Sequence, residues 1–109
     1  MVQVNSVIAP LCRQIRSRLL EQYQGRLRGV YLYGSYARGE ADAESDVDVL
    51  VVLDRVDRYG AEIDATSALV SDLSLESGCS ISIVFIREAD WKNASSPFLQ
   101  NVRAEAVPA

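Results

Sequence analysis

Residues 34–53 read GSYARGEADAESDVDVLVVL, a stretch that joins a glycine-serine turn, two closely spaced acids and an apolar run. Because side chains alternate along a strand, Asp46 and Asp48 face the same side at its beginning. The residues after Asp48 are aliphatic on both sides, which is typical of a strand buried on both faces. The stretch therefore predicts a buried strand whose first residues carry two carboxylates.

A second strand is predicted just before this stretch. Residues 27–33 are rich in aliphatic and aromatic side chains and end at Gly34. Gly34 and Ser35 would open a short helix, and the backbone N–H groups and hydroxyl of such a turn suit a phosphate group. The alternative is a turn and helix cap without a ligand.

The two acids suit a metal that binds phosphates. Magnesium prefers oxygen ligands and is commonly held by one or two carboxylates together with substrate phosphates. Asp46 and Asp48 supply that pair, and a metal held there would neutralise charge on a phosphate chain and orient its α-phosphorus. The alternative is a solvated strand start.

The segment before the first strand predicts an amphipathic helix. Apolar residues recur at three- and four-residue steps within residues 8–23. Asn5 or Ser6 can cap this helix, which places Pro10 in the first turn, where its missing N–H has no helical partner. Gly25 is the expected end of the helix.

The segment after the acidic strand predicts a crossover helix, a third strand and a terminal helix. Residues 58–77 have helical spacing and end at Gly78, and the β-branched segment 80–86 can pair in parallel with the acidic strand. Ser96 as cap and Pro97 at the first helical position predict the terminal helix. The crossover helix is expected to bury Ile63, Thr66, Val70 and Leu73, widened by Ala65 and Leu69, and the terminal helix to close over the sheet with Phe98, Leu99 and Val102.

Composition limits the classes of protein and of site. The 109 residues are 49% hydrophobic and carry a net charge of −4, which fits one domain over residues 1–109. The order of the predicted helices and strands indicates an α/β (α+β) fold, with a small mixed sheet flanked by helices. No apolar run reaches the ~20 residues of a membrane span, and no signal region is visible, so a cytoplasmic location is expected. The acidic balance disfavours binding to long nucleic acid. Cys12 and Cys79 without any histidine argue against a zinc site.

The stretch 34–53 resembles the GS-x-ARG…SD-x-D signature of the polymerase-β-like nucleotidyltransferases, most closely the minimal nucleotidyltransferase (MNT) domains. The resemblance implies the polymerase-β-like nucleotidyltransferase fold and ATP as substrate. It also implies that Gly34 and Ser35 bind phosphates. Asp46 and Asp48 would be the catalytic residues and would hold magnesium or manganese.

Two further residues are candidates for nucleotide binding. The resemblance places Arg38 close to the nucleotide or the acceptor, and a surface ion pair with Glu40 or Glu44 is the alternative. Ser45, directly before the acidic pair, is a candidate nucleotide contact. Its alternative role is a local cap of the turn.

The resemblance also implies a partner, because MNT proteins are often encoded beside a HEPN ribonuclease toxin and act as its antitoxin. A HEPN toxin or a second copy of the chain is therefore expected as partner, and AMP transfer to that partner is the first hypothesis. Active family members usually carry a third carboxylate on the next strand, whereas Ser82 or Ser80 takes that position here. The second hypothesis is thus a non-catalytic module that neutralises its partner by binding. The third is transfer to a small molecule such as an aminoglycoside.

Overall fold

The computed structural model describes residues 2–42, 44–93 and 96–109. The helices are α1 (Val2–Tyr23), α2 (Ser35–Arg38), α3 (Tyr59–Ser77), α4 (Glu88–Asn93) and α5 (Pro97–Glu105). The strands are β1 (Leu27–Tyr33), β2 (Val47–Leu53), β3 (Ile81–Arg87) and β4 (Val107–Pro108), and a 3-10 helix (Gln24–Arg26) joins α1 to β1. Within the described ranges, no helix is both long enough and apolar enough to cross a membrane.

The four strands form one mixed sheet in the order β3-β2-β1-β4. β2 and β3 are parallel, since α3 returns the chain across the sheet between them. β1 is antiparallel to both β2 and β4. The expected mixed sheet flanked by helices is confirmed, with the third strand running from Ile81 to Arg87 instead of from 80 to 86.

The two faces of the sheet are covered to different degrees. The odd-numbered residues of β2 lie in a core with α1 and α3, while Leu50 and Val52 point the other way and pack near Val102 of α5. All residues from 49 to 53 are at most 1% exposed. Asp48 shares its side with Leu50 through the alternation of the strand. We call this side the α5 face.

Helix α1 begins and ends differently from the prediction. It starts at Val2, so Pro10 lies inside the helix and not in its first turn, and the expected caps Asn5 and Ser6 lie within the helix as well. An interior proline removes one helical hydrogen bond, but Pro10 is exposed, so water can solvate the orphaned carbonyl. The expected stop at Gly25 is also wrong, because Gln24 adopts the left-handed conformation with φ 52°.

The buried side of α3 is rotated relative to the predicted stripe. Leu69 and Leu73 are buried as predicted, whereas Ile63 and Ala65 are exposed and Glu62 is buried. Helix α3 ends as predicted at Gly78, whose φ of 72° suits a residue without a Cβ.

Polar contacts of Glu62 explain this rotation. The hydroxyl of Tyr23 donates to Glu62 Oε1 at 2.8 Å, and Arg26 Nη2 donates to Glu62 Oε2 at 3.1 Å. Arg26 Nε also donates to Asp54 Oδ1 at 3.1 Å, so the guanidinium joins the start of β1, the end of β2 and α3. Burial and the Glu62 carboxylate raise the pKa of Tyr23. A carboxylate with two such donors can be buried where the pattern suggested an apolar residue.

The terminal helix α5 starts as predicted. Ser96 Oγ accepts the Leu99 N–H at 3.2 Å, and Pro97 is the first helical residue. Val102 is buried, but Phe98 is 48% exposed and Leu99 is half-buried, so the predicted closing stripe covers the sheet only in part.

Two elements, α4 on the α5 face and the edge strand β4, were not predicted. Trp91 of α4 packs on Tyr31 with ring centroids 4.9 Å apart. In β4, Val107 pairs with Leu32 at the edge of β1. Both segments are short, and their pairing partners lie far away in the chain, so local patterns carry little signal for them.

Candidate active site

The turn between β1 and α2 is built around Gly34. Its φ of 75° and ψ of −153° fall in a region that is essentially restricted to glycine. A Cβ at this position would lie 3.2 Å from Asp48 Cγ and closer still to Asp48 Oδ2. Gly34 therefore permits both the sharp turn into Ser35 and the close approach of the Asp48 carboxylate.

The candidate acids lie at the beginning of β2, at the end of the sheet that we call its top. Tyr33 of β1 pairs with Asp48 of β2, and Asp48 pairs with Ser82 of β3, so the three residues form one row across the sheet. Asp46 directly precedes β2 and is exposed, while Asp48 is half-buried. The structure thus places Asp48 against Gly34 and, of the two serines that the sequence left open, puts Ser82 opposite Asp48 on β3.

The surroundings of Asp48 disfavour its charged form. Burial raises the pKa of Asp48, and the nearby charge of Asp46 adds to this rise. The positive charge of Arg38 lowers the pKa of Asp48 in part, and the negative charge of Glu105 raises it again. Two carboxylates held together without full compensation are a favourable place for a bound cation.

The residues present fit a magnesium ion that is shared with a phosphate chain. Among residues 2–42, 44–93 and 96–109, no three His, Cys, Asp or Glu side chains converge to hold a metal by themselves. Asp46 and Asp48 instead offer two carboxylates, and magnesium commonly takes its remaining ligands from phosphates and water. The donor set therefore suits a metal that arrives with a nucleotide.

Arg38 lies at the end of α2 and forms two ion pairs. Its Nε donates to Glu40 Oε1 at 2.8 Å, and its Nη1 donates to Glu105 Oε1 at 3.1 Å. The predicted alternative of a surface pair with Glu40 is therefore present, although it does not exclude a nucleotide contact. Both carboxylates raise the pKa of Arg38, which stays fully charged.

Ser45 takes part in the turn that leads into β2. Its Oγ accepts the Asp42 N–H at 3.0 Å and lies 3.3 Å from Asp42 Oδ1. These contacts agree with the role of a local cap. Binding of a nucleotide by Ser45 stays a prediction.

Glu105, which the sequence analysis did not single out, belongs to the same cluster. Its Oε2 accepts the N–H of Gly34 at 2.6 Å, in addition to the contact with Arg38. A helical stripe could have indicated it, because Phe98, Val102 and Glu105 follow one another at four- and three-residue steps. Phe98 packs edge-on against Tyr33 with ring centroids 6.1 Å apart, so this side of α5 faces β1 and the turn.

Comparison with known proteins shows the family of the chain. The family model of the nucleotidyltransferase domain matches residues 12–105. A Methanocaldococcus jannaschii protein named "Putative protein adenylyltransferase MJ0604" is 34% identical over 94 residues, which is 85% of this chain and 88% of the relative.

Two solved complexes contain a chain with the same fold. One is a toxin-antitoxin complex with AMP-PNP, with a TM-score of 0.61 and 24% identity over 89% of this chain and 70% of the other. The second is a tri-AMPylated Shewanella oneidensis HEPN toxin in complex with an MNT antitoxin, with a TM-score of 0.53 and 22% identity over 91% of this chain and 69% of the other. From the family match and the archaeal relative together, the chain belongs to the nucleotidyltransferase domain family.

Proposed function

We propose that this protein transfers AMP from ATP to a hydroxyl group of a partner protein, with magnesium or manganese held by Asp46 and Asp48. The observation that carries the proposal is the close approach of the Asp48 carboxylate to the Gly34 turn, with Asp46 two residues earlier, directly before β2. The name of the archaeal relative, a protein adenylyltransferase, supports AMP as the group transferred and a protein as acceptor.

Each candidate residue has a distinct task in this proposal. Gly34 and Ser35 bind the β- and γ-phosphates, and Arg38 adds a positive charge beside them. A metal bound by Asp46 and Asp48 would supply charge neutralisation at the α-phosphate. The acceptor hydroxyl gives its proton to solvent water, and its oxygen forms a bond to the α-phosphorus. The bond between the α-phosphorus and the oxygen that bridges to the β-phosphorus breaks, and pyrophosphate leaves with that oxygen.

The partner that we propose is a HEPN toxin, with the present chain as its antitoxin. The solved complex of an AMPylated HEPN toxin with an MNT antitoxin has the same fold in one of its chains, which supports this assignment. We place the reaction in the cytoplasm, where ATP is available. A homodimer stays a second prediction for the assembly, and the acidic charge still predicts that the protein does not bind long nucleic acid.

A second candidate function has an observation in its favour. Ser82 lies opposite Asp48 in the register of β2 and β3, where a third carboxylate is expected in an active enzyme. A serine hydroxyl is a poor base and a poor ligand for magnesium. The chain would then bind the nucleotide or the toxin and neutralise the toxin by complex formation alone.

One experiment separates the two functions. The purified protein is incubated with ATP, magnesium and the product of the neighbouring gene, and the intact mass of both chains is measured. We expect the partner to gain one or more AMP units, and Asp46→Asn or Asp48→Asn to abolish the gain. Asp64→Asn, on the exposed side of α3, is the matched control. A stable complex without any gain in mass would establish the binding function.

The variant Ser82→Asp tests the role of the missing acid. If the lack of a third carboxylate limits the rate of AMP transfer, an aspartate opposite Asp48 should accelerate the transfer, because it adds a third oxygen ligand or a base. Under the binding function, the variant could instead create a transfer activity that the wild-type protein lacks.

A further inference from the structure

We infer that Glu105 is a positioning residue for nucleotide binding, through which α5 becomes part of the nucleotide site. The inference rests on the proposed function, since it assigns a role in the binding of the triphosphate. It adds a residue outside the signature stretch 34–53, at the far end of the chain.

The contacts of Glu105 tie the Gly34 turn to Arg38. The Gly34 N–H, which Glu105 holds, supports the turn and is not itself a donor to the phosphates. Its Oε2 accepts the backbone N–H of Gly34 at 2.6 Å, and Arg38 Nη1 donates to both of its oxygens, at 3.1 and 3.2 Å. The Glu105 side chain is 23% exposed, compared with 43% for that of Arg38. Hydrogen bonds to a charged group are roughly twice as strong as neutral ones, so this carboxylate fixes the turn and the guanidinium together.

The orientation of Arg38 is the property that Glu105 controls. Glu40 binds Nε and Glu105 binds Nη1, which fixes the plane of the guanidinium. Within the described part of the chain, Nη2 has no hydrogen-bond acceptor, and it is the nitrogen that we assign to the phosphate. An unrestrained arginine would lose rotamer freedom when it binds the nucleotide, and a guanidinium already held in place loses less.

The chain on both sides of Glu105 is anchored. Glu105 therefore stays in place as a support of the turn when the nucleotide binds, and the phosphates do not displace its carboxylate. Val102, one turn earlier, is 3% exposed and accepts the Ala106 N–H at 2.8 Å. Just beyond, Val107 pairs with Leu32, and the Ala109 N–H donates to Val30 at 2.9 Å. Glu105 is therefore held beside the Gly34 turn by both α5 and β4.

The test compares Glu105→Ala and Glu105→Gln with the wild-type protein in complex with its partner. For Glu105→Ala we expect the KM for ATP, and the Kd for a non-hydrolysable ATP analogue with magnesium, to rise about tenfold, while kcat changes less than about threefold. Glu105→Gln keeps an oxygen that accepts from Gly34 and Arg38, so both constants should stay within about threefold of wild type. Glu76→Ala, an exposed acid on α3, controls for the loss of a negative charge.

A double-mutant cycle with Arg38→Ala tests the route of the effect. If Glu105 acts through Arg38, Glu105→Ala should weaken ATP binding much less in the Arg38→Ala background than in the wild-type background. Fully additive effects would overturn that route. If Glu105→Ala does not fold, Glu105→Asp replaces it, because the shorter side chain withdraws the carboxylate and should raise the KM in the same direction.

A measurement without nucleotide completes the test. The hydrogen exchange of the Gly34 amide, followed by NMR, should accelerate in Glu105→Ala and stay slow in Glu105→Gln. Tighter ATP binding by Glu105→Ala would identify Glu105 as a competitor of the phosphates and overturn the inference. If the wild-type protein binds no ATP, the proposed function falls together with the inference. If it binds ATP and Glu105→Ala binds equally well, the inference alone falls.

Discussion

Replacement of Gly34 by alanine tests whether the turn and Asp48 form one site. The backbone of Gly34, at φ 75° and ψ −153°, costs a residue with a Cβ about 1–3 kcal/mol. The new Cβ would also lie 3.2 Å from Asp48 Cγ, and such overpacking costs about 1–3 kcal/mol more unless the carboxylate moves. We expect the free energy of unfolding to fall by about 2–4 kcal/mol, because the backbone strain and the overpacking both act and small movements of the neighbouring atoms relieve part of each.

Gly78→Ala is the matched control for backbone strain. Gly78 has a similar φ of 72°, but no atom of the described residues lies within 4 Å of an added Cβ, so the expected loss is about 1–2 kcal/mol. Urea unfolding measures both variants, and binding of ATP with magnesium measures the site. We expect Gly34→Ala to lose at least about tenfold in ATP affinity, because Asp48 is displaced, and Gly78→Ala to keep it. Equal stability and equal ATP binding in the two variants would refute the proposed contact.

Three further changes probe charge, core and cap. Asp48→Asn should abolish AMP transfer and leave the melting temperature equal or higher, because burial and Asp46 disfavour the Asp48 carboxylate; a lower melting temperature would contradict this. Tyr23→Phe removes a buried donor to Glu62 and should lower the free energy of unfolding by about 1 kcal/mol in urea, with transfer unchanged. Ser96→Ala should lower the same free energy by about 1 kcal/mol through loss of the α5 cap, and an unchanged urea midpoint would argue against the cap.

The signature stretch could be predicted from sequence because its signals are local. Alternation in the stretch after Ser45 predicts the buried strand with Asp48 near its beginning, and the glycine at the end of β1 marks the turn, whereas Asp46 lies directly before β2 and not within it. The structure adds what alternation cannot give, namely that Asp48 lies against Gly34 and that Ser82 is its partner in register. Both facts depend on the register between strands, and β2 is buried on both faces, so its hydrophobic pattern does not distinguish one register from the next.

The residues that sequence analysis missed depend on partners far away in the chain. Glu105 meets Gly34 across 71 positions, and Glu62 meets Tyr23 across 39. An acid within a helix is assigned to the exposed side unless the groups that donate hydrogen bonds to it are known. For this reason the predicted stripe of α3 included Ile63, which is exposed, and excluded Glu62, which is buried. Tertiary contacts override periodicity where a charged group gains several hydrogen bonds.

The fold separates the groups that stabilise it from those that form the site. Helices α1 and α3 cover one face of the sheet, where Ile15 and Leu19 are fully buried. The α5 face is covered by short helices, and its top row keeps Asp48 half-buried and Ser82 exposed. A partner that supplies an acceptor hydroxyl can therefore approach the acids from this face without disturbing the main core. Since most of the buried apolar residues belong to the core on the first face, variants on the top row of the α5 face should change function more than stability.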